Sequence, residues 1–294
     1  MENSYIQAVH DFFETQEIRR QRIYRITKIF SLVFLVCAII FLWTTSIPFF
    51  AAFTSTFITY CLLVLLITSP LNTAYTRILK LAIKGITEET AGNGWEYSAS
   101  YNLASYKATV TPLKFFPFWR TRMTNYVLRG QWKTMPLLIV GLSLMKSGNR
   151  RRDSRYDFDG HLFTLSGTTS CAGIILTNTK RKGYFKIPRG YLLNENYGIS
   201  AKDILIYTKH GSNNTDANRV LPLFQKLMTL APDAEILWMM ESTTQTVAIN
   251  DKQFLFEQNV VINKKVNPAT FVENTDKSIH YLIDIVKVIS DATP

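Results

Sequence analysis

Between Lys28 and Arg77 the chain carries no charged residue, and cations crowd both ends: Arg19, Arg20, Arg22, Arg25 and Lys28 before the run, Arg77, Lys80 and Lys84 after it. Such a run reads as a membrane hairpin. Pro48 falls near its middle and Pro70 near its end, dividing it into residues 29–47 and 49–69. Nineteen residues in a helix reach roughly 28 Å, against a hydrocarbon core of about 30 Å, so each half can cross a bilayer. Cations retained in the cytosol set orientation, and both flanks are basic, so both termini are expected to be cytosolic. An N-terminal signal peptide is the alternative for the first half. Its leading segment, however, is long and carries Glu2, Asp11, Glu14 and Glu17, and a second apolar half follows at once.

The 294-residue chain leaves about 218 residues beyond the hairpin, enough for one sizeable domain. Cys37, Cys61 and Cys171 have no close spacing, which excludes a disulfide framework and any metal knuckle. The net charge of +11 comes from one place: residues 107–155 hold eleven cations against Asp153 alone. The same stretch contains Phe115, Phe116, Phe118, Trp119, Tyr126 and Trp132.

Residues 1–28 read as a cytosolic basic helix running into the first span, and 70–92 as a juxtamembrane helix that is either new at Pro70 or kinked there. Gly92 and Gly94 stop it. From Trp95 to the end the pattern changes to short β-rich runs at 107–110, 126–128, 162–165, 173–176, 184–187, 204–207, 235–240, 246–249 and 253–256. Residues 136–145 tempt a third span, but the uncharged run between Lys133 and Lys146 is too short, and a buried strand fits better. Two helices punctuate the sheet. One covers 221–230, with Pro222 in its first turn; the other covers 274–290, with Asn274 as its cap. Helices on one side of a mostly antiparallel sheet make an α+β domain over residues 95–294.

The order of these features resembles a bacterial membrane-anchored family catalogued as domain of unknown function 3137. The matching stretches are Tyr126-Val127-Leu128-Arg129-Gly130 followed by 135–144, then Phe158-Asp159-Gly160-His161-Leu162-Phe163, the proline-containing stretch 217–230, the strands around Trp238 and Ala248, Phe256-Glu257, and the final helix. The resemblance implies a two-span anchor, a cytosolic α+β domain and a bacterial inner or plasma membrane. It brings no catalytic residues. It also implies a LemA-type membrane protein as a partner, because genes of the two kinds often occur together.

The basic aromatic segment has two readings. It is either a surface held against anionic headgroups, where each cation contributes about 1 kcal/mol, or a set of solvated strand and loop residues around core aromatics. The residues that would touch lipid or a partner are Arg120, Arg122, Arg129, Arg150, Arg151, Arg152 and Arg155. Nucleic acid also suits a basic surface with aromatics, yet no nucleic-acid motif accompanies the charge. Asp157, Asp159 and His161 form the one tight grouping of acids and imidazole; strand alternation puts them on one face, where they would share a metal or a proton. The spacing matches no metal motif, and Gly160 beside His161 favours a structural role. Cys171 lacks the surroundings of a nucleophile. No phosphate-cradling loop, dinucleotide fingerprint, HExxH or paired CxxC occurs, so no cofactor is expected. The spans carry no ionisable residue and so serve as an anchor or as part of an oligomer. The reading is a membrane-anchored cytosolic interaction module; the alternative is a membrane-tethered enzyme with a dispersed site around Asp157, Asp159 and His161.

Overall fold

The computed structural model describes residues 4–44, 49–92, 94–98, 119–146, 158–169, 171–179, 185, 187–194, 204–209, 214–253, 255–256 and 266–293. The chain divides into two compact units, Met1–Gly85 with Glu257–Thr275 and Ile86–Phe256 with Asp276–Pro294.

The first unit is helical. Helix α1 spans Ser4–Thr44 and α2 spans Phe49–Ala91. Tyr5 packs on Gly85, where an added Cβ would lie 2.5 Å from the tyrosine ring. Phe12 and Phe13 meet Tyr75 edge-on at 5.6 and 5.4 Å. These pairs run in opposite chain directions, so the two helices are antiparallel. Phe13 also meets Phe271 at 5.0 Å. Arg20 binds Glu17 through two hydrogen bonds of 2.8 and 2.7 Å. Along the uncharged stretch Ile29, Leu32, Val33, Leu35, Val36, Ile39, Ile40 and Trp43 are all exposed. Among the described residues one helix, α1, is long and apolar enough to cross a membrane. Helix α2 passes Pro70 without a break and ends at Gly92, whose φ of 85° and N–H to the Glu88 carbonyl close the last turn.

The second unit is α+β. Its described residues form one antiparallel sheet of nine strands: β1 (Glu96–Ser98), β2 (Trp119–Trp132), β3 (Met135–Lys146), β4 (Phe158–Ser166), β5 (Ile174–Thr177), β6 (Tyr191–Leu193), β7 (Leu205–Lys209), β8 (Glu235–Met240) and β9 (Thr244–Asn250), in the order β1-β2-β3-β4-β9-β8-β5-β7-β6. Alternation sorts the side chains. Val127, Val140, Leu142, Leu144, Phe158, Leu162, Ile175, Leu237, Met239 and Ala248 share one apolar face with Phe185. Tyr126, Ile139, His161, Phe163, Val247 and Trp238 lie on the other. That second face receives the final helix, since Trp132 Nε1 donates to Ser290 Oγ at 3.0 Å.

Helix α3 covers Asn214–Leu230 and α4 covers Pro268–Ser290, and both begin earlier than the sequence suggests. In α3, Pro222 lies in the interior rather than the first turn. A proline there costs about 3 kcal/mol, but the buried stripe Ala217, Val220, Phe224 and Leu227 starts before it and outweighs that cost. In α4 the cap is Asn267, not Asn274: its side-chain oxygen accepts the Ala269 N–H at 3.0 Å, with Pro268 at the first helical position. Two further readings change. The 253–256 run is no strand: Leu255 and Phe256 form a turn, and Lys252 and Phe256 take φ of 56° and 63°. The 107–110 run lies outside the described residues, as do Tyr184 and Lys186 of the 184–187 run, whose described residues Phe185 and Ile187 are in no strand.

Candidate functional site

Strand β4 carries Asp159 and His161 two residues apart, so both point to the helix-covered face, as alternation requires. His161 stands opposite Gly141 of β3, and Gly141 stands opposite Tyr126 of β2. A Cβ at Gly141 would lie 2.4 Å from the Tyr126 ring. The glycine therefore gives Tyr126 a path across β3, and its hydroxyl meets His161 Nδ1 at 2.8 Å. On the opposite side of the ring, His161 Nε2 lies 3.3 Å from Asp251 Oδ2. That separation is within ion-pair distance, and Nε2 has no other polar partner among the described residues. His161 is 1% exposed.

Asp251 follows the last residue of β9 and gathers the remaining contacts. Tyr281 of α4 donates to its Oδ2 at 2.5 Å, and the Gln253 N–H to its Oδ1 at 3.1 Å. Burial pushes the Asp251 carboxyl up, but His161, Tyr281 and Gln253 together hold it below the usual range. Burial next to that carboxylate drives the Tyr281 hydroxyl up. Tyr126, wholly enclosed, is raised well above the ordinary phenol value by burial and then by Asp251. It keeps its proton, and its hydroxyl shares a hydrogen bond with His161 Nδ1.

Asp159 sits beside this pair in a second set of bonds. Ser143 Oγ donates to Asp159 Oδ1 at 2.7 Å, and Asn125 Nδ2 donates to Ser143 Oγ at 3.1 Å. The Asp159 N–H reaches Asn250 Oδ1 at 2.9 Å, and Asn250 Nδ2 reaches Glu235 at 3.1 Å. The Lys252 N–H closes on the Asp159 carbonyl at 2.8 Å. Burial lifts the Asp159 carboxyl, against the Ser143 bond and the nearby His161.

Of the residues singled out from sequence, Asp159 and His161 are thus brought together, while Asp157 lies outside the described residues. Arg150, Arg151, Arg152 and Arg155 also lie outside them, and Arg120 and Arg122 are placed in β2 by their backbone. Arg129 is exposed on β2, opposite Glu96 of β1. Sequence reasoning missed Tyr126, Ser143, Asp251 and Tyr281 as partners, because they come from four distant segments and only the strand register assembles them. Among the described residues no three His, Cys, Asp or Glu side chains converge to hold a metal ion. The cluster ties β2, β4, the end of β9 and α4 together. No protein-family model matches this chain, and no characterised protein or solved structure matches it either.

Proposed function

We propose that this chain is a membrane-anchored interaction module. Two spans, 29–47 and 49–69, hold both termini in the cytosol of a bacterial cell, and the sheet unit binds a membrane-protein partner or a small ligand. The observation that carries the anchor is the row from Ile29 to Trp43 along α1, eight large apolar side chains without protein cover. At 1.5 to 3 kcal/mol for each such side chain fully buried, leaving the row in water forfeits on the order of 10 kcal/mol, which is comparable to the whole stability of a typical domain. A bilayer recovers it. The long uncharged stretch of α2 supports a second span alongside the first, since α1 and α2 are antiparallel.

The segment 107–155, at net +10, orients the module by attraction to anionic headgroups; tethering already confines it near the surface, so a weak attraction suffices. The order of features supports membership of the family called domain of unknown function 3137, and with it a LemA-type partner. The burial of His161 favours binding over catalysis, since an imidazole 1% exposed meets no substrate in this conformation.

The test uses the full chain in vesicles of phosphatidylcholine with and without phosphatidylglycerol, alone and with a co-reconstituted LemA-type protein. Slower tryptic cleavage at Arg150, Arg151, Arg152 and Arg155 on the anionic vesicles is expected, with crosslinks from the sheet unit to the added protein. Equal cleavage on both vesicles removes the orienting surface. No crosslink removes that partner.

A further inference from the structure

We infer that Arg19, Arg22, Arg25 and Lys28 of α1 form a ladder that holds the phosphates of anionic phospholipids, with the cytosolic border of the bilayer crossing α1 near Arg22 rather than at Lys28. The inference rests on the membrane reading and adds to it a depth and a lipid contact. Its first support is the register of the two helices. Tyr5 on Gly85 and Phe13 against Tyr75 fix them antiparallel, and the charges of Glu17 and Arg20 still act on the Tyr75 hydroxyl. Counted on from Phe13 and Tyr75, one residue for one, Arg22 stands level with position 66 and Lys28 with position 60. The uncharged run of α2, however, continues to Thr76. Its end and Lys28 thus lie about 24 Å apart along the hairpin axis.

One flat border cannot follow both charge limits, and the helix lengths decide between them. Helix α1 ends at Thr44, so a border at Lys28 leaves it about 24 Å, against a core of about 30 Å. The same border strands the run Leu62-Leu63-Val64-Leu65-Leu66-Ile67 of α2 in water. A border at Arg22 gives α1 about 33 Å and α2, counted to Ile67, about 28 Å, and both fit.

That border places Arg19 about 5 Å out in the headgroup layer, and Arg25 and Lys28 about 5 and 9 Å beneath it. All four are exposed. Among the described residues none of them has a hydrogen bond or ion pair, whereas buried Arg20 is neutralised by Glu17. No acidic residue lies between Glu17 and Glu88, so anions for the ladder come from outside the hairpin. Helical side chains lean toward the N-terminus, which is the cytosolic end of α1 in this reading. Arg25 and Lys28 therefore reach up to the phosphates as snorkelling side chains do, and the arginine forks suit phosphate oxygens.

The test places single nitroxide labels at Ile18→Cys, Ile26→Cys, Ile29→Cys and Val36→Cys, four positions exposed on α1. The full chain, with its own cysteines replaced, is reconstituted in vesicles of phosphatidylcholine and phosphatidylglycerol, and a water-soluble nickel chelate reports depth. Labels at 26, 29 and 36 are expected to be at least fivefold less accessible than the label at 18. A label at 26 as accessible as that at 18, with 36 protected, overturns the ladder and leaves the anchor standing; an accessible label at 36 removes both. Chain-labelled lipids then read the contact. The wild type is expected to immobilise phosphatidylglycerol in preference to phosphatidylcholine, and Arg22→Gln with Arg25→Gln and Lys28→Gln to reduce that preference at least twofold while the label at 36 stays protected. An undiminished preference overturns the phosphate contact.

Discussion

Tyr126 crosses strand β3 directly over Gly141, at a place where any side chain would collide with its ring 2.4 Å away. The tyrosine reaches His161 two strands from its own because the residue between them has no side chain to obstruct it.

Gly141→Ala is therefore expected to displace Tyr126, break its bond to His161 and destabilise the sheet unit by about 2 kcal/mol, in the range of overpacked cores. Thermal unfolding of the full chain in detergent measures it. In the Tyr126→Phe background, where no hydroxyl bond remains to lose, the same substitution should cost less, and equal costs in both backgrounds would show that the bond plays no part.

The two buried carboxylates should give opposite pH dependences. Asp251 is depressed in the folded state, so its contribution is present above the unfolded value near 3.8 and disappears as pH falls through the lower folded value. The deficit of Asp251→Asn relative to wild type, about 2 kcal/mol at neutral pH, should then shrink in acid. Asp159 is raised, so its ionisation weakens the folded state as pH climbs from 3.8 through the folded value. Asp159→Asn, which keeps an oxygen for Ser143, should be neutral or mildly stabilising at pH 7 and lose that advantage in acid. Stability measured from pH 3 to 7 on both variants checks the pair of signs.

Asn267→Ala should cost about 1 kcal/mol by removing the cap of α4, whereas Asn274→Ala should not expose the start of the helix. Hydrogen exchange at residues 269–272 distinguishes the two caps.

A cysteine at position 46, between the two proposed spans, should be labelled by an impermeant maleimide from the outer side of the membrane only, in a Ser46→Cys chain whose own three cysteines are replaced. Labelling from the cytosolic side would reverse the proposed orientation.

Apolar patterning made much of the sheet readable. Runs around residues 136–145, 162–165, 235–240 and 246–249 are buried strands because their side chains have partners on the sheet faces. What could not be read had two causes: local signals that were missing or misleading, and pairings distant in sequence. The turn joining β2 to β3 is Lys133-Thr134, with Lys133 at φ 58°, and it carries neither the glycine nor the asparagine that usually announces a two-residue hairpin. The start of α3 was missed because Pro222, in its interior, looked like a boundary while burial continued across it, and that of α4 because Asn274 looked like a cap. At the candidate site, alternation along β4 correctly placed Asp159 and His161 on one face. Their partners Tyr126, Asp251 and Tyr281 stand at separations of 35, 90 and 120 residues from His161, beyond the reach of any local pattern.

Among the described residues the nine strands taper outward. The terminal strands of the order, β1 and β6, are three residues each, while β2 and β3 next to one end run to fourteen and twelve. A three-residue border offers at most a couple of open backbone groups for an incoming chain to pair with. Along these described borders neighbouring copies thus gain little from zipping together edge to edge, and side-chain shape and charge offer a partner more than sheet extension does.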